Sequence, residues 1–190
     1  MNETLKTILS RRSIRAFKQE QIKEEELKAI LQAGSFAPSA MNQQSWHFTV
    51  IQNKELLQKI NEFSKAVLIK IGNKAFEARS KNTPVEKINI MYNAPTLIIV
   101  SGDIKAIAPQ NDASLAIENM FLAAESLRIG SCWLHTFNVL FSTEEGKDFL
   151  IKQKLIPEGY VPVGSGVFGY KDVEASSPAP RREGIYTFFR

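Results

Sequence analysis

An α/β or α+β fold forming a single domain over residues 1–190 is the architecture this sequence predicts, and three observations carry it. Helical periodicities alternate with short β-branched or aromatic runs along the chain. The stretch 96–101 holds the continuous apolar run Leu97-Ile98-Ile99-Val100, which marks a strand buried on both faces. The end of the chain is rich in β-formers, at residues 160–170 and again at 185–189. A chain of 190 residues is long enough to bury a proper core, and its 44% hydrophobic and 23% charged residues are those of an ordinary globular protein. No repeat, linker or low-complexity tract interrupts it.

Charge and cysteine content exclude several classes. The net charge of +4 is mild and its basic residues are interleaved with acids, which argues against a nucleic-acid partner. Cys132 is the only cysteine, so an intrachain disulfide is impossible. The N-terminus lacks a signal-peptide pattern, and the longest apolar run is too short to span a bilayer. The expectation is a cytoplasmic protein without a membrane partner.

The elements follow in order. Residues 2–10 read as a helix capped by Asn2, with Leu5, Ile8 and Leu9 as its apolar stripe. A second helix runs over 23–33, started by Glu24, Glu25 and Glu26 and closed by Gly34. A loop of small and amide residues around Pro38 leads to a strand at 46–51. Helix follows over 55–63 and resumes at 66–71 after a break. The charged, irregular stretch 72–92 reads as a mobile flap. After the buried strand, Asp112 caps a long helix to Leu127, apolar nearly all round and ended by Gly130. Such a helix is either wrapped by its own domain or shared with a second subunit. Its small residues, Ala113, Ala116, Ala123 and Ala124, favour a dimer core. A strand at 131–136, a helix opened by a Ser142/Glu145 capping box and the strand at 160–170 complete the order.

Functionally the densest stretch is Arg11-Arg12-Ser13-Ile14-Arg15. Its guanidinium groups stay charged and cannot be core. In an extended backbone residues 11, 13 and 15 share a side, with Arg11 and Arg15 about 13 Å apart. That span suits a long anion with a phosphate at one end and a reducible ring at the other. Bidentate arginine with a hydroxyl recognises phosphate, and a fixed cation favours a ring that becomes anionic. A solvated basic turn explains the same five residues equally well.

Further motifs sharpen the reading. Residues 37–48 read APSAMNQQSWHF, Asn93-Ala94-Pro95 precedes the central strand, and Asp112-Ala113-Ser114 opens the long helix. Gly130-Ser131-Cys132-Trp133 and a late Gly169-Tyr170-Lys171, with Arg181 beyond, follow in order. Over nearly its whole length the chain resembles the FMN-dependent nitroreductase family. The resemblance implies a nitroreductase-like fold: a central, mostly antiparallel mixed sheet flanked by helices, with the C-terminal strand exchanged in a homodimer. It also implies two FMN sites at the subunit interface. Arg11 and Ser13 would hold the FMN phosphate, Arg12 would lie beside it, and Arg15 would reach the pyrimidine edge of the ring. Pro38, Ser39, Ala40 and Asn42 match a loop that covers the flavin of the other subunit. Backbone N–H groups of Leu134, His135 and Thr136 would face the flavin near N5 and O4. Arg181, helped by Arg182, matches a late phosphate-binding arginine. Asn73 and Lys74 are the nearest matches to an asparagine and a lysine that the family supplies to the flavin. Ala179 departs from the pattern, since many members carry a basic residue there.

The activity so implied is an FMN-dependent NAD(P)H oxidoreductase, taking hydride from NADH or NADPH and passing it via flavin N5 to nitroaromatic, quinone or similar small-molecule acceptors by a ping-pong mechanism. No catalytic side chain is required, since flavin carries the chemistry and Arg15 tunes it. No metal is expected, because His47, His135 and Cys132 form no ligand-spaced cluster. His47 and Trp133 read as structural, His135 as a residue bordering the acceptor, and Cys132 as an inert buried thiol. A flavin-dependent reductive dehalogenase, a flavin-cleaving relative and a non-catalytic flavin-binding or redox-sensing protein are the alternatives.

Overall fold

The computed structural model describes residues 1–190 as seven helices around a four-stranded sheet. In chain order these are α1 (Glu3–Ser10), α2 (Glu24–Ser35), β1 (Trp46–Ile51), α3 (Lys54–Lys70), α4 (Lys74–Ser80), β2 (Thr96–Asp103), α5 (Pro109–Ser126), β3 (Ile129–Leu134), α6 (Thr136–Phe141), α7 (Glu144–Lys152) and β4 (Tyr160–Tyr170). The strands stand in the order β1-β2-β4-β3, with every neighbouring pair antiparallel. One parallel bridge, Ser13 to Ser131, makes the arrangement mixed. This is the predicted α+β architecture with its mostly antiparallel sheet. No helix is long and apolar enough to cross a membrane.

Alternation along β2 explains the layering, because successive side chains point to opposite faces. Leu97 and Ile99 enter a core on one face, shared with α3, α4, α6 and α7 through Ile60, Phe76, Phe137 and Leu150. Ile98 and Val100 enter a second core on the other face, with Ile30 of α2 and Ile117, Met120 and Phe121 of α5. All four β2 side chains are fully buried. Burial on both faces is what the continuous apolar run encodes.

Several boundaries differ from the sequence reading, each for a physical reason. Gly34 does not close α2 but lies within it, where a Cβ would collide with the buried Met120 side chain. It is glycine because α2 and α5 approach closely there. α3 runs unbroken through Ser64 and Lys65. The buried Lys65 stays inside because its ammonium reaches Glu62 Oε2 at 3.0 Å and the Val85 carbonyl at 3.4 Å. The 72–92 stretch, expected to be a mobile flap, is anchored: it contains α4 and buries Phe76, Ile88, Ile90 and Met91 in the core. The buried Asn61 of α3 also accepts the Ile90 N–H at 2.9 Å.

α5 begins with Pro109 at its first position, a turn before the expected cap. It ends at Ser126, and Gly130 belongs to β3. The short α6 was not anticipated, and α7 is capped by Thr143, whose hydroxyl accepts from Gly146 N–H at 3.1 Å, rather than by Ser142. Residues 185–189 form no strand within the chain and are exposed.

Gly146 offers a test of this corner. A Cβ there would sit on the Leu140 carbonyl oxygen and 2.7 Å from Thr143 Oγ1. Overpacking costs about 1–3 kcal/mol and the gain in helix propensity returns roughly 1 kcal/mol. Gly146→Ala is therefore expected to lower Tm by a few degrees in a thermal melt. An unchanged or raised Tm would show that α6 and α7 do not meet in this way.

Candidate functional site

The basic segment is placed by backbone pairing with the two strands at the β3 edge of the sheet. Ile14 N–H donates to the Ser131 carbonyl at 2.9 Å, Lys18 N–H to Tyr170 at 3.0 Å, and Asp172 N–H to Ala16 at 3.1 Å. Ile14 and Phe17 face inward, 3% and 5% exposed, and anchor the segment in the core. On either side of the buried Ile14, Ser13 and Arg15 are exposed, as alternation in an extended backbone requires, and Arg11 is half-buried.

Cys132 of β3 is buried in the same core as Ile14 and Phe17. Burial pushes its thiol pKa up, while Arg15, Ser13 and Arg11 pull it back down. The Arg11 Nε is 3.5 Å from Glu118 Oε1, and its guanidinium lies 5.9 Å from the Phe121 ring centroid. Arg12 turns elsewhere: its Nη1 donates to the Leu9 carbonyl at 2.9 Å and the Arg11 carbonyl at 2.6 Å, closing the C-terminus of α1. The Arg12 Nε is buried without a partner.

Arg15 lies over the ring of Tyr92, 5.8 Å from its centroid, and Arg79 of α4 lies over the same ring at 5.0 Å. A cavity of about 280 Å³ opens there, with Arg15, Arg79, Lys87, Tyr92, Asn93 and Asp172 in its wall. None of its three cations forms an ion pair; every salt bridge of the chain lies elsewhere. A larger cleft of about 570 Å³ adjoins it and shares Gln19, Lys87, Asn89 and Asn93, but no sequence-predicted site residue lines it.

The loop carrying Pro38, Ser39, Ala40 and Asn42 is held in an unfavourable shape. Met41, Asn42 and Gln44 have φ of 52°, 54° and 48°, the left-handed region that side chains other than glycine seldom adopt. The buried Asp112 of α5 secures it, accepting the Ala40 N–H at 3.0 Å and the Ser45 hydroxyl at 2.9 Å. Ser39 Oγ accepts the Gln44 N–H at 2.9 Å, and Asn42 Oδ1 accepts from Gln44 Nε2 at 3.1 Å. Asp112 is therefore a loop latch in the first turn of α5, not the cap that its position suggested.

Leu134 ends β3, His135 precedes α6, and no side chain caps that helix at Thr136. Leu134 is buried and its carbonyl accepts the Ser165 hydroxyl at 2.7 Å, whereas His135 is exposed. Asn73 is the N-cap of α4, its Oδ1 accepting the Phe76 N–H at 3.0 Å, and Lys74 is exposed; neither lines the Arg15 cavity. Arg181 and Arg182 are exposed on a tail without secondary structure. Sequence reasoning missed Arg79 and Tyr92. The one available signal for Tyr92 was its place directly before the Asn93-Ala94-Pro95 motif.

Comparison with known proteins now decides the relationship, for the Nitroreductase family profile matches residues 8–170. The chain belongs to the nitroreductase family. A protein of Archaeoglobus fulgidus, named for NADH dehydrogenase/NAD(P)H nitroreductase activity, is 35% identical to this family member over 90% of the chain and 86% of its own length. The crystal structure of a nitroreductase with bound FMN from Bacteroides fragilis superimposes with a TM-score of 0.89 and 37% identity, covering all of both chains. A nitroreductase with bound FMN from Desulfitobacterium hafniense gives 0.86 and 31%, again over both whole chains.

Asp112→Ala isolates the loop latch of this nitroreductase fold. Hydrogen bonds to a charged group contribute about 1.5–3 kcal/mol each, and two are lost together. Amide hydrogen exchange over residues 39–45 is expected to speed up at least tenfold while β2 keeps its protection. Unchanged exchange at Ala40 would remove Asp112 from this role.

Proposed function

We propose that residues 1–190 act as one FMN-binding domain of a homodimeric oxidoreductase. It takes electrons from NADH or NADPH and passes them to nitroaromatic, quinone or similar acceptors in a ping-pong cycle. The observation that carries this reading is the edge segment that carries Arg11, Ser13 and Arg15 along β3, with the unpaired cations Arg79 and Lys87 beside Arg15. FMN-bound neighbours at 37% and 31% identity and a relative named for NAD(P)H-dependent activity support it.

The residues present fit a flavin mononucleotide. The one ion pair of Arg11 is with Glu118, a half-exposed carboxylate at 3.5 Å, so a phosphate dianion competes well for it. Ser13 supplies a hydroxyl next to that position. Arg12, held by two carbonyls, fixes the backbone that presents Arg11. The cations at the Arg15 cavity leave an excess of positive charge where the pyrimidine edge is assigned. In this reading Arg79 and Lys87 stand where the sequence suggested Asn73 and Lys74.

Bound FMN supplies two-electron hydride exchange at N5. The chain's own residues bind, orient and tune. Arg15 stabilises negative charge at the N1/O2 edge in the reduced state, an electrostatic contribution that a fixed cation makes without reorganising. Backbone N–H groups at Leu134, His135 and Thr136 would orient the ring. Pro38, Ser39, Ala40 and Asn42 would cover the site of the second subunit, in the shape that Asp112 enforces. Arg181 and Arg182 would hold the phosphate from the tail.

Exposed apolar side chains support the dimer. Leu5, Ile8 and Leu9 of α1 and Leu115 of α5 face solvent, as do Ile185, Tyr186, Phe188 and Phe189 on the tail. Grouped exposure of this kind marks an interaction surface. A second copy of the chain, exchanging its C-terminal segment, would cover both groups.

Purified protein saturated with FMN should be yellow and should bleach on anaerobic mixing with NADH or NADPH, then recover colour on adding a nitroarene. Persistent yellow with both donors would rule out the oxidoreductase reading. Arg11→Ala is expected to weaken FMN binding roughly ten- to hundredfold, since a charge-assisted hydrogen bond is worth about 1.5–3 kcal/mol. Unchanged flavin retention after dialysis would contradict the phosphate assignment.

A further inference from the structure

We propose that Tyr92 is a positioning residue that holds the Arg15 guanidinium at the flavin edge and thereby sets the reduction potential of the bound cofactor. This rests on the FMN reading above. Three independent features of the chain lead to Tyr92.

The first is its geometry. Two guanidinium groups lie over one phenol ring, Arg15 at 5.8 Å and Arg79 at 5.0 Å from its centroid. A cation within about 6 Å of an aromatic centroid is attracted by the ring quadrupole. Arg79 is itself secured, with Nη2 donating to the Asn89 carbonyl at 3.0 Å, so the ring is braced from α4. The same Asn89 carbonyl accepts the Tyr92 N–H at 3.2 Å, and the Asn89 side chain accepts the Met91 N–H at 2.8 Å.

The second is the backbone. Tyr92 and Asn93 have φ of 57° and 56°, and an aromatic residue in that region is a genuine outlier. Such a shape persists only where the surroundings over-determine it. Here Met91 and Ala94 are buried on either side, Ala94 N–H donates to the Met91 carbonyl at 3.1 Å, and Gln19 and Gln21 side chains donate to the Asn93 and Pro95 carbonyls at 3.3 and 2.7 Å. What the strained turn delivers is a ring beside Arg15.

The third is the missing counter-ion. Arg15 is exposed and forms no ion pair, although Asp172 lines the same cavity. Tyr92 is the group it leans on, through the ring face, and the Tyr92 side chain is the largest cause raising the Arg15 pKa above its already high ordinary value. An arginine without such a brace samples many rotamers, and its charge is then not fixed where the pyrimidine edge gains negative charge.

The test is a double-mutant cycle on the FMN-loaded protein, reading the midpoint potential of bound flavin by equilibration with redox dyes. Arg15→Ala should shift the potential to more negative values. Tyr92→Leu should shift it the same way by a smaller amount, with only about two- to fivefold weaker binding of oxidised FMN. Added to Arg15→Ala, Tyr92→Leu should move the potential no further, because its effect runs through Arg15. Tyr92→Phe keeps the ring, loses the hydroxyl and should fall between wild type and Tyr92→Leu. It is also the comparison to use if Tyr92→Leu does not fold.

A wild-type potential in Tyr92→Leu, or in Tyr92→Phe where only that variant folds, overturns the proposal when Arg15→Ala shifts it. So does a Tyr92→Leu shift that persists undiminished in the Arg15→Ala background. A flat response to Arg15→Ala instead locates the failure in the role given to Arg15, and failure of the wild-type protein to take up FMN locates it in the cofactor reading; either removes this proposal as well.

Discussion

Backbone pairing between residues 13–18 and the strands β3 and β4 supports the rest of the site. Arginines so close together repel one another and gain nothing from burial, so they cannot hold the segment in place. The grip comes from Ile14 and Phe17, whose burial contributes about 1.5–3 kcal/mol each, and from hydrogen bonds to Ser131, Tyr170 and Asp172. Once the segment lies along the sheet edge, its side chains divide. Ile14 and Phe17 serve stability, while Ser13 and Arg15 are left exposed and Arg11 half-buried beside Glu118.

Around that segment the fold repeatedly uses a well-bonded polar group to impose a local shape that propensity disfavours. Asp112 does so for the 39–45 loop, whose residues Met41, Asn42 and Gln44 occupy left-handed backbone. Asn89 does so for the turn at Tyr92 and Asn93. Lys65 and Asn61 tie the 85–90 stretch to α3. The first two devices hold left-handed backbone, a usual form of stored strain, while the third packs Ile88 and Ile90 into the core.

What the sequence made legible follows from which signals are local. Alternation located β1 and a continuous apolar run located β2, because burial of a strand is written in its own residues. The Arg11-Arg12-Ser13-Ile14-Arg15 pattern was readable for the same reason. The unbroken course of α3 was not, since Ser64 and Lys65 look like an interruption until Glu62 and the Val85 carbonyl supply partners. The 72–92 stretch was misread because its charges outnumber its anchors: Phe76, Ile88, Ile90 and Met91 are few but all buried. Asp112 looked like a helix cap because nothing local shows that its partners, Ala40 and Ser45, are remote in sequence. Arg79, Tyr92 and the neighbourhood of Cys132 depend wholly on tertiary placement.

The same pairing carries a consequence for biogenesis. Ser13 meets Ser131, and Phe17 meets Lys171, so the earliest-made stretch finds its partners only when the last strand exists. During synthesis from the N-terminus, a ribosome-bound chain has α1 and the arginines outside the tunnel long before β4 has emerged. Contacts this distant in sequence also carry the largest loop-closure cost. The segment that carries Arg11, Ser13 and Arg15 therefore cannot complete its pairing before residue 171 has been made, and a product truncated earlier lacks the Phe17–Lys171 bridge.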